Sequence, residues 1–175
     1  YLSIFLGWER YQEEFEEMLD SFRFLEGESE VYENERYGFE IEYPSAWYVT
    51  TPEDPTNPEY GRRVDFSPAK IKTADFTLEE VSIVITRVGE EDLGEWLDEK
   101  INSFYGFEEY GITKVPVEYT NFSGYQIVDE PSAYGARSIY TKRGMYIYNF
   151  ILLNDSPEYR ENFDQMLNTF RLLER

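Results

Sequence analysis

The strongest constraint on the fold is a repeat within the chain, because residues 11–26 and 159–174 carry closely related sequences. The two stretches read YQEEFEEMLDSFRFLE and YRENFDQMLNTFRLLE, and nine of their sixteen positions are identical. Residues 1–6 also echo residues 148–153 once a gap of one residue is allowed. Internal similarity of this kind marks a duplicated structural unit. We therefore predict one complete domain together with a second copy of that domain's last elements.

Each copy of the repeat is predicted to form a strand, a helix and a short strand. In both copies the large apolar side chains recur at positions i, i+3, i+4 and i+7, which places them on one face of a helix. These side chains are Phe15, Met18, Leu19 and Phe22 in the first copy, and Phe163, Met166, Leu167 and Phe170 in the second. The second helix is predicted to begin at Ser156-Pro157, where an N-cap residue is followed by proline in the first turn.

The repeat defines the predicted domain boundaries. Residues 1–26 are interpreted as the strand-helix-strand remnant of a preceding repeat, and residues 27–30 (GESE) as a polar linker. The complete domain is predicted to span residues 31–175. Because the sequence begins with Tyr1 rather than methionine, we expect the front of a longer chain to be missing, so the chain is read as part of a tandem array.

Strand and helix patterns within residues 31–175 predict the fold class. Phe39, Ile41 and Tyr43 alternate with glutamates, which indicates a half-buried strand that Pro44 closes. Trp47 to Val49 is predicted to continue it, and Glu91 to Phe104 is predicted to be a helix. Further strands are predicted at 64–66, 81–88, 115–119, 125–128, 134–140 and 145–153. The last four read as an antiparallel meander, so we predict an α+β fold with a central antiparallel sheet and helices on both faces.

The charge balance excludes several classes of partner. The chain has 16 basic and 36 acidic residues, a net charge of −20, which would repel nucleic acid and anionic lipid surfaces. No apolar run approaches the roughly 20 residues that a membrane-spanning helix needs. The hydrophobic share of 41% nevertheless predicts a globular protein.

The residue types that are missing from the chain argue against catalysis. The 175 residues include no cysteine and no histidine, so disulfides, zinc-thiolate sites and the most common general base are absent. Catalysis would have to rest on carboxylates, lysine, serine or tyrosine. We therefore predict no enzyme, no catalytic residue and no cofactor.

Oxygen ligands leave a Ca²⁺ site open, because this ion takes six to eight of them. The acidic clusters are Glu53-Asp54, Glu90-Glu91-Asp92 and Asp129-Glu130. None has the alternating aspartate spacing of a dedicated calcium loop. Glu90, Glu91 and Asp92 are the weak metal candidates, and the favoured alternative is that they complement the positive end of the helix that follows.

The stretch Tyr37 to Trp47, YGFEIEYPSAW, resembles the G-F-x-I-x-Y-P-x-x-W opening of PsbP-like domains, and residues 163–173 are similar to the closing helix and strand of that family. The resemblance covers residues 31–174. It implies an α-β-α sandwich and a family of non-enzymatic modules, among them extrinsic subunits of the photosynthetic oxygen-evolving complex and prokaryotic envelope proteins. Photosynthetic function does not carry over, because the family's photosystem-binding N-terminal extension is lacking.

Three functions follow from these observations. The first is a non-catalytic module, extracellular or in the cell envelope, for protein association or self-assembly, in which the apolar face of residues 1–26 packs on another molecule's sheet edge or on the following domain. The second is a ligand- or Ca²⁺-binding envelope module, and the third a carboxylate-dependent hydrolase. The glycosylation sequons at Asn121 and Asn154 are compatible with an envelope location.

Overall fold

The computed structural model describes residues 28–51, 63–68, 81–105, 112–128, 137–153 and 156–173. The predicted remnant, residues 1–26, lies outside these ranges, so its structure and the boundary that it implies stay predictions. Two helices are described, α1 (Leu93–Tyr105) and α2 (Pro157–Thr169). The strands are β1 (Ser29–Asn34), β2 (Phe39–Pro44), β3 (Tyr48–Thr50), β4 (Arg63–Ser67), β5 (Val81–Arg87), β6 (Thr113–Glu118), β7 (Ser123–Val128), β8 (Arg137–Arg143), β9 (Tyr146–Leu152) and β10 (Arg171–Leu172).

The strands form two sheets, and every described pair of neighbours is antiparallel. The larger sheet has the order β3-β4-β5-β9-β8-β7-β6, and the smaller one has the order β1-β2-β10. The predicted meander is therefore present as β6 to β9. Together with the two helices, this arrangement confirms the predicted α+β class.

The two helices cover opposite faces of the larger sheet, as the alternation of side chains along β9 shows. Tyr148, Phe150 and Leu152 belong to the larger core, which also contains the apolar face of α2. Ile147, which points to the opposite face, packs with Leu93 and Leu97 of α1 in a smaller core. Successive residues of a strand point to opposite faces. One strand therefore supplies both cores, and the predicted placement of helices on both faces is confirmed.

The larger core is rich in aromatic rings from both sheets and from the end of α2. Phe170 lies at its centre, with ring centroids 4.7 Å from Phe150, 5.5 Å from Phe39 and 5.7 Å from Tyr148. The buried hydroxyl of Tyr148 donates a 2.7 Å hydrogen bond to the carbonyl of Tyr37. Its one polar group is therefore satisfied, as a buried hydroxyl requires.

Several predicted bounds shift in the structure. β1 begins at Ser29, inside the predicted linker, because Ser29 to Asn34 pair with β2 along the whole strand. Residues 48–50 do not continue β2 as predicted. A turn in which the Trp47 amide donates to the Pro44 carbonyl (2.8 Å) redirects the chain, so that β3 joins the larger sheet. The helix that was predicted to start at Glu91 starts at Leu93 instead, because Asp92 caps it.

Within the part of the chain that the structure describes, no helix is both long enough and apolar enough to cross a membrane.

Candidate functional site

An acidic cleft of about 600 Å³ lies where the segment before α1 meets the β6–β7 and β8–β9 turns. We call it the end groove. All three of the predicted acidic candidates belong to it. It is lined by Glu90, Glu91, Asp92, Leu93, Pro116, Val117, Glu118, Ser123, Gly124, Tyr125, Lys142 and Gly144.

Asp92 has a structural role at the wall of the groove, because its carboxylate caps α1. Its Oδ1 accepts hydrogen bonds from the backbone amides of Gly94 (2.7 Å) and Glu95 (3.4 Å). The first amides of a helix have no partner within the helix, and a side-chain oxygen satisfies them. This geometry favours the helix-terminus interpretation of Asp92 over the metal-ligand one.

Glu91 belongs to the same segment, and its backbone carbonyl connects this segment to the sheet. Its Oε1 accepts from the amide of Gly89 (3.3 Å). The Nζ of Lys142, on β8, donates to the backbone carbonyl of Glu91. The ammonium group of Lys142 is thus used to hold the entry to α1 beside β8.

A second lysine fixes α1 on the sheet close to the groove. The Nζ of Lys114, on β6, donates to the carbonyl of Gly94 (2.7 Å) and to Asp98 Oδ2 (2.6 Å), and it lies 5.4 Å from the centroid of the Tyr125 ring. A Cβ at Gly94 would lie 3.0 Å from Asp92 Oδ1 and 3.2 Å from that Nζ. A larger residue at Gly94 would therefore require the side-chain ends of Asp92 and Lys114 to shift by a few tenths of an ångström.

The floor of the groove depends on Gly124 of β7. A Cβ at this position would lie 2.0 Å from the backbone carbonyl oxygen of Tyr140 on β8. No side chain fits at that distance, so the close approach of β7 to β8 requires glycine.

Two carboxylates of the groove are free to meet a partner. Glu90 and Glu118 are exposed, and among the described residues neither makes a hydrogen bond or an ion pair. The lining holds four carboxylates and one ammonium group, that of Lys142, which already binds Glu91. The groove therefore presents uncompensated negative charge beside the apolar surface of Leu93, Pro116 and Tyr125.

A metal centre is not assembled by the described carboxylates. Within residues 28–51, 63–68, 81–105, 112–128, 137–153 and 156–173, no three acidic side chains come close enough together to hold an ion. The clusters Glu53-Asp54 and Asp129-Glu130 lie outside these ranges. A site for Ca²⁺ therefore rests on the sequence alone.

A buried charged cluster that sequence reasoning missed lies on the α1 side of the larger sheet. Asp65 Oδ1 accepts from Arg63 Nε (2.6 Å) and from the hydroxyl of Ser82 (2.7 Å), and Arg63 also donates to that hydroxyl (3.2 Å). Asp65 and Ser82 are 2% and 1% exposed. The one sequence signal was an aspartate between Val64 and Phe66 in a predicted strand. Since every polar atom named here is paired, the cluster is structural.

The tyrosines with shifted pKa values are poor candidates for a catalytic base. Burial, reinforced by a hydrogen bond to Glu30 and the charge of Glu30, raises the pKa of Tyr43 to about 12. Burial likewise raises the pKa of Tyr32 and Tyr119. These phenols stay protonated at neutral pH and serve the packing of the domain.

Comparison with known proteins gives a fold but no family. No protein-family model matches the chain, and no curated protein is similar to it. The chain is similar to a protein of Bacteroides thetaiotaomicron VPI-5482 of known crystal structure, with a TM-score of 0.51 and 9% identity, over 85% of this chain and 50% of that one. At this identity the likeness concerns the fold alone, and the chain spans half of that protein's length.

A second similar structure is the solution structure of cyanobacterial PsbP (CyanoP) from Synechocystis sp. PCC 6803. It has a TM-score of 0.49 and 11% identity, over 82% of this chain and 92% of that one. The tandem-repeat origin of residues 1–26 stays a prediction.

Proposed function

We propose that the protein is a non-catalytic binding module that associates with other proteins through the end groove. The observation that carries this proposal is the pair of exposed, unpartnered carboxylates of Glu90 and Glu118 in a groove that Leu93, Pro116 and Tyr125 also line, in the part of the chain that the structure describes. Charge on a surface steers a partner of opposite sign, and apolar side chains that become buried with it add affinity. The matching partner is a positively charged protein segment.

The chemistry of the groove supports binding over catalysis. The whole chain lacks histidine and cysteine. Asp92 is occupied by the cap of α1, and Lys142 by the carbonyl of Glu91. A general base must be able to reach a substrate proton, and Asp92 serves the backbone instead, whereas Glu90 and Glu118 are exposed carboxylates whose charge is available to a partner.

An extracellular or cell-envelope location is part of the proposal. The resemblance to PsbP-like domains favours it, and the exposed Asn121 of one sequon is compatible with it. Fractionation of the producing cells tests this part separately, since a protein found wholly with the cytoplasmic fraction would contradict it.

The binding test is calorimetric titration of the full chain with an oligolysine peptide at two salt concentrations. We expect binding that weakens as salt rises, because opposite charges at a surface are screened. The double variant Glu90→Gln/Glu118→Gln is expected to bind several-fold more weakly. The matched control is Glu33→Gln/Glu99→Gln, which removes the same charge from β1 and α1 away from the groove.

Equal losses in the two double variants would overturn the proposal, because binding would then follow the net charge of −20 rather than the groove. Titration with Ca²⁺ is the second arm. Tight Ca²⁺ binding that disappears in Glu90→Gln/Glu118→Gln, without oligolysine binding in the parent, would replace protein association by a cation-binding function.

A further inference from the structure

The last elements of the domain, α2 and β10, close the larger core, and we call residues 156–173 the closing unit. Phe163, Met166, Leu167 and Phe170 are at most 2% exposed. β10 pairs with β2, so that Arg171 lies opposite Glu40 and forms an ion pair with it. The surface that receives this unit is the acceptor surface, which is formed by Phe39, Glu40, Trp47, Tyr148 and Phe150.

The first copy of the repeat retains the side chains with which the closing unit contacts that surface. The ring of Tyr159 lies 6.1 Å from that of Trp47, and its counterpart in the first copy is Tyr11. The four buried apolar side chains recur unchanged, and so does the arginine that pairs with Glu40. Their counterparts are Phe15, Met18, Leu19, Phe22 and Arg23.

At two contacts where the copies differ, the chemical group is kept. Asp164 accepts a 2.7 Å hydrogen bond from Arg137, and a glutamate, Glu16, takes its place. The hydroxyl of Thr169 accepts from the Glu42 amide (3.1 Å), and a serine, Ser21, takes its place. The amide of Asn168 is replaced by the carboxylate of Asp20, but the repeat has otherwise kept the binding face of the unit, which a generic amphipathic helix would not need to do.

Chain length prevents residues 11–26 from taking the β10 position in their own domain. In that position Phe24 would lie opposite Phe39, whereas Ser29 lies opposite Pro44 on the other side of β2. Phe24 in that position and Ser29 would be about 19 Å apart, because they would be offset by five residues along the strands and by two strand spacings across the sheet. The five residues from Phe24 to Ser29 span at most ~18 Å when fully extended, and the chain would also have to reverse direction.

We propose that residues 11–26 dock on the acceptor surface of a second copy of this chain and replace the closing unit there. This self-association goes beyond the function proposed for the end groove. The end groove takes no part in it, so failure of the oligolysine test and failure of this test are distinguishable. The second copy's own closing unit competes at high effective concentration, and docking therefore proceeds by exchange of one unit for the other.

Disulfide trapping tests the exchange cleanly, because the chain has no cysteine of its own. The donor chain carries Arg23→Cys. The acceptor chain carries Glu40→Cys and Leu167→Ala, the second change weakening its own closing unit. On mild oxidation of the mixture we expect a donor–acceptor dimer. The matched control donor carries Glu14→Cys, the counterpart of Asn162, at a position where the copies differ, and it should cross-link several-fold more slowly.

Equal rates for the two donors would overturn the proposal. The same comparison is made with a Glu40→Cys acceptor that keeps Leu167, in case the weakened chain does not fold. A single chain with both Arg23→Cys and Glu40→Cys supplies an independent check at high dilution. It should form no internal disulfide, whereas Arg171→Cys/Glu40→Cys should. An internal bond between positions 23 and 40 would show that the unit reaches its own domain and would overturn the proposal.

Discussion

The two faces of the seven-stranded sheet are built in different ways. The face under α2 is packed with aromatic rings around Phe170, whereas the face under α1 carries a smaller apolar core and the ion pair of Arg63 and Asp65. Lys114 donates a hydrogen bond to the backbone of α1, and the N-terminal end of this helix borders the end groove. The contrast suggests that the α2 face supplies most of the stability and that the α1 end is where a partner can bind.

The largest effect is expected on the α2 face. Phe170→Ala removes a ring that contacts four others and leaves a cavity that a rigid core cannot close, so it should lower the free energy of unfolding by about 3–5 kcal/mol. Denaturant unfolding measures it. Met145→Ala, at a side chain that is 47% exposed, is the control and should change the value by no more than about 0.5 kcal/mol.

A smaller loss is expected on the α1 face. Leu97→Ala should cost about 2–3 kcal/mol, the lower part of the range for such substitutions, because the surrounding cluster is small and can relax into the space. The same unfolding measurement applies. A loss as large as that of Phe170→Ala would show that the two faces contribute equally, and the comparison would fail.

The polar part of the α1 face is tested at Asp65. Asp65→Ala removes the acceptor of both Arg63 and Ser82, and should cost about 1–3 kcal/mol, because the buried hydroxyl and the partly buried guanidinium both lose a partner. Ser82→Ala deletes one hydroxyl and should cost about 1 kcal/mol. If Asp65→Ala were neutral, the cluster would not stabilise the fold.

Alkaline pH should act through Tyr43, on the smaller sheet next to the α2 face. Its pKa is raised from 10.0 to about 12 in the folded protein, so the unfolded chain gives up the phenolic proton first. The stability that this group contributes is complete below pH 10 and is lost as the pH rises towards 12. Tyr43→Phe should therefore flatten the decline of stability between these values. An unchanged slope in unfolding experiments would refute the assignment.

The smallest effect on stability is expected at the end groove. Glu90→Gln and Glu118→Gln replace exposed, unpartnered side chains and should each shift the free energy of unfolding by no more than about 0.5 kcal/mol. A clearly larger loss would mean that these carboxylates stabilise the fold. The assignment of stability to the α2 face and of partner binding to the α1 end would then be wrong.

Much of the local structure could be predicted from the sequence. The i, i+3, i+4, i+7 spacing of Phe163 to Phe170 gave the buried face of α2, and alternation gave β2 to within one residue. β1 was missed because Ser29 to Asn34 expose most of their side chains and therefore lack alternation. The turn at Pro44 was recognised, but the change of sheet after it was not, since no local pattern specifies which sheet a short strand joins.

The candidate site was predicted only in part. Glu90, Glu91 and Asp92 were identified as an acidic cluster, and the cap formed by Asp92 follows from its place before an apolar helix. Glu118, Tyr125 and Lys142 were not foreseen as their neighbours. They come from separate strands, and their approach depends on the pairing of β6, β7 and β8.

The sequence by itself determined the fold class, the presence of a repeated sequence and the lack of histidine and cysteine, because periodicity and residue type are local properties of the chain. The tertiary structure decided that β5 pairs with β9, that Asp65 and Ser82 are buried together, and that three distant segments enclose one acidic groove. The reason is physical. A periodic pattern fixes which face of an element is buried, whereas the surface that covers it is selected by the total burial and hydrogen bonding of the whole domain.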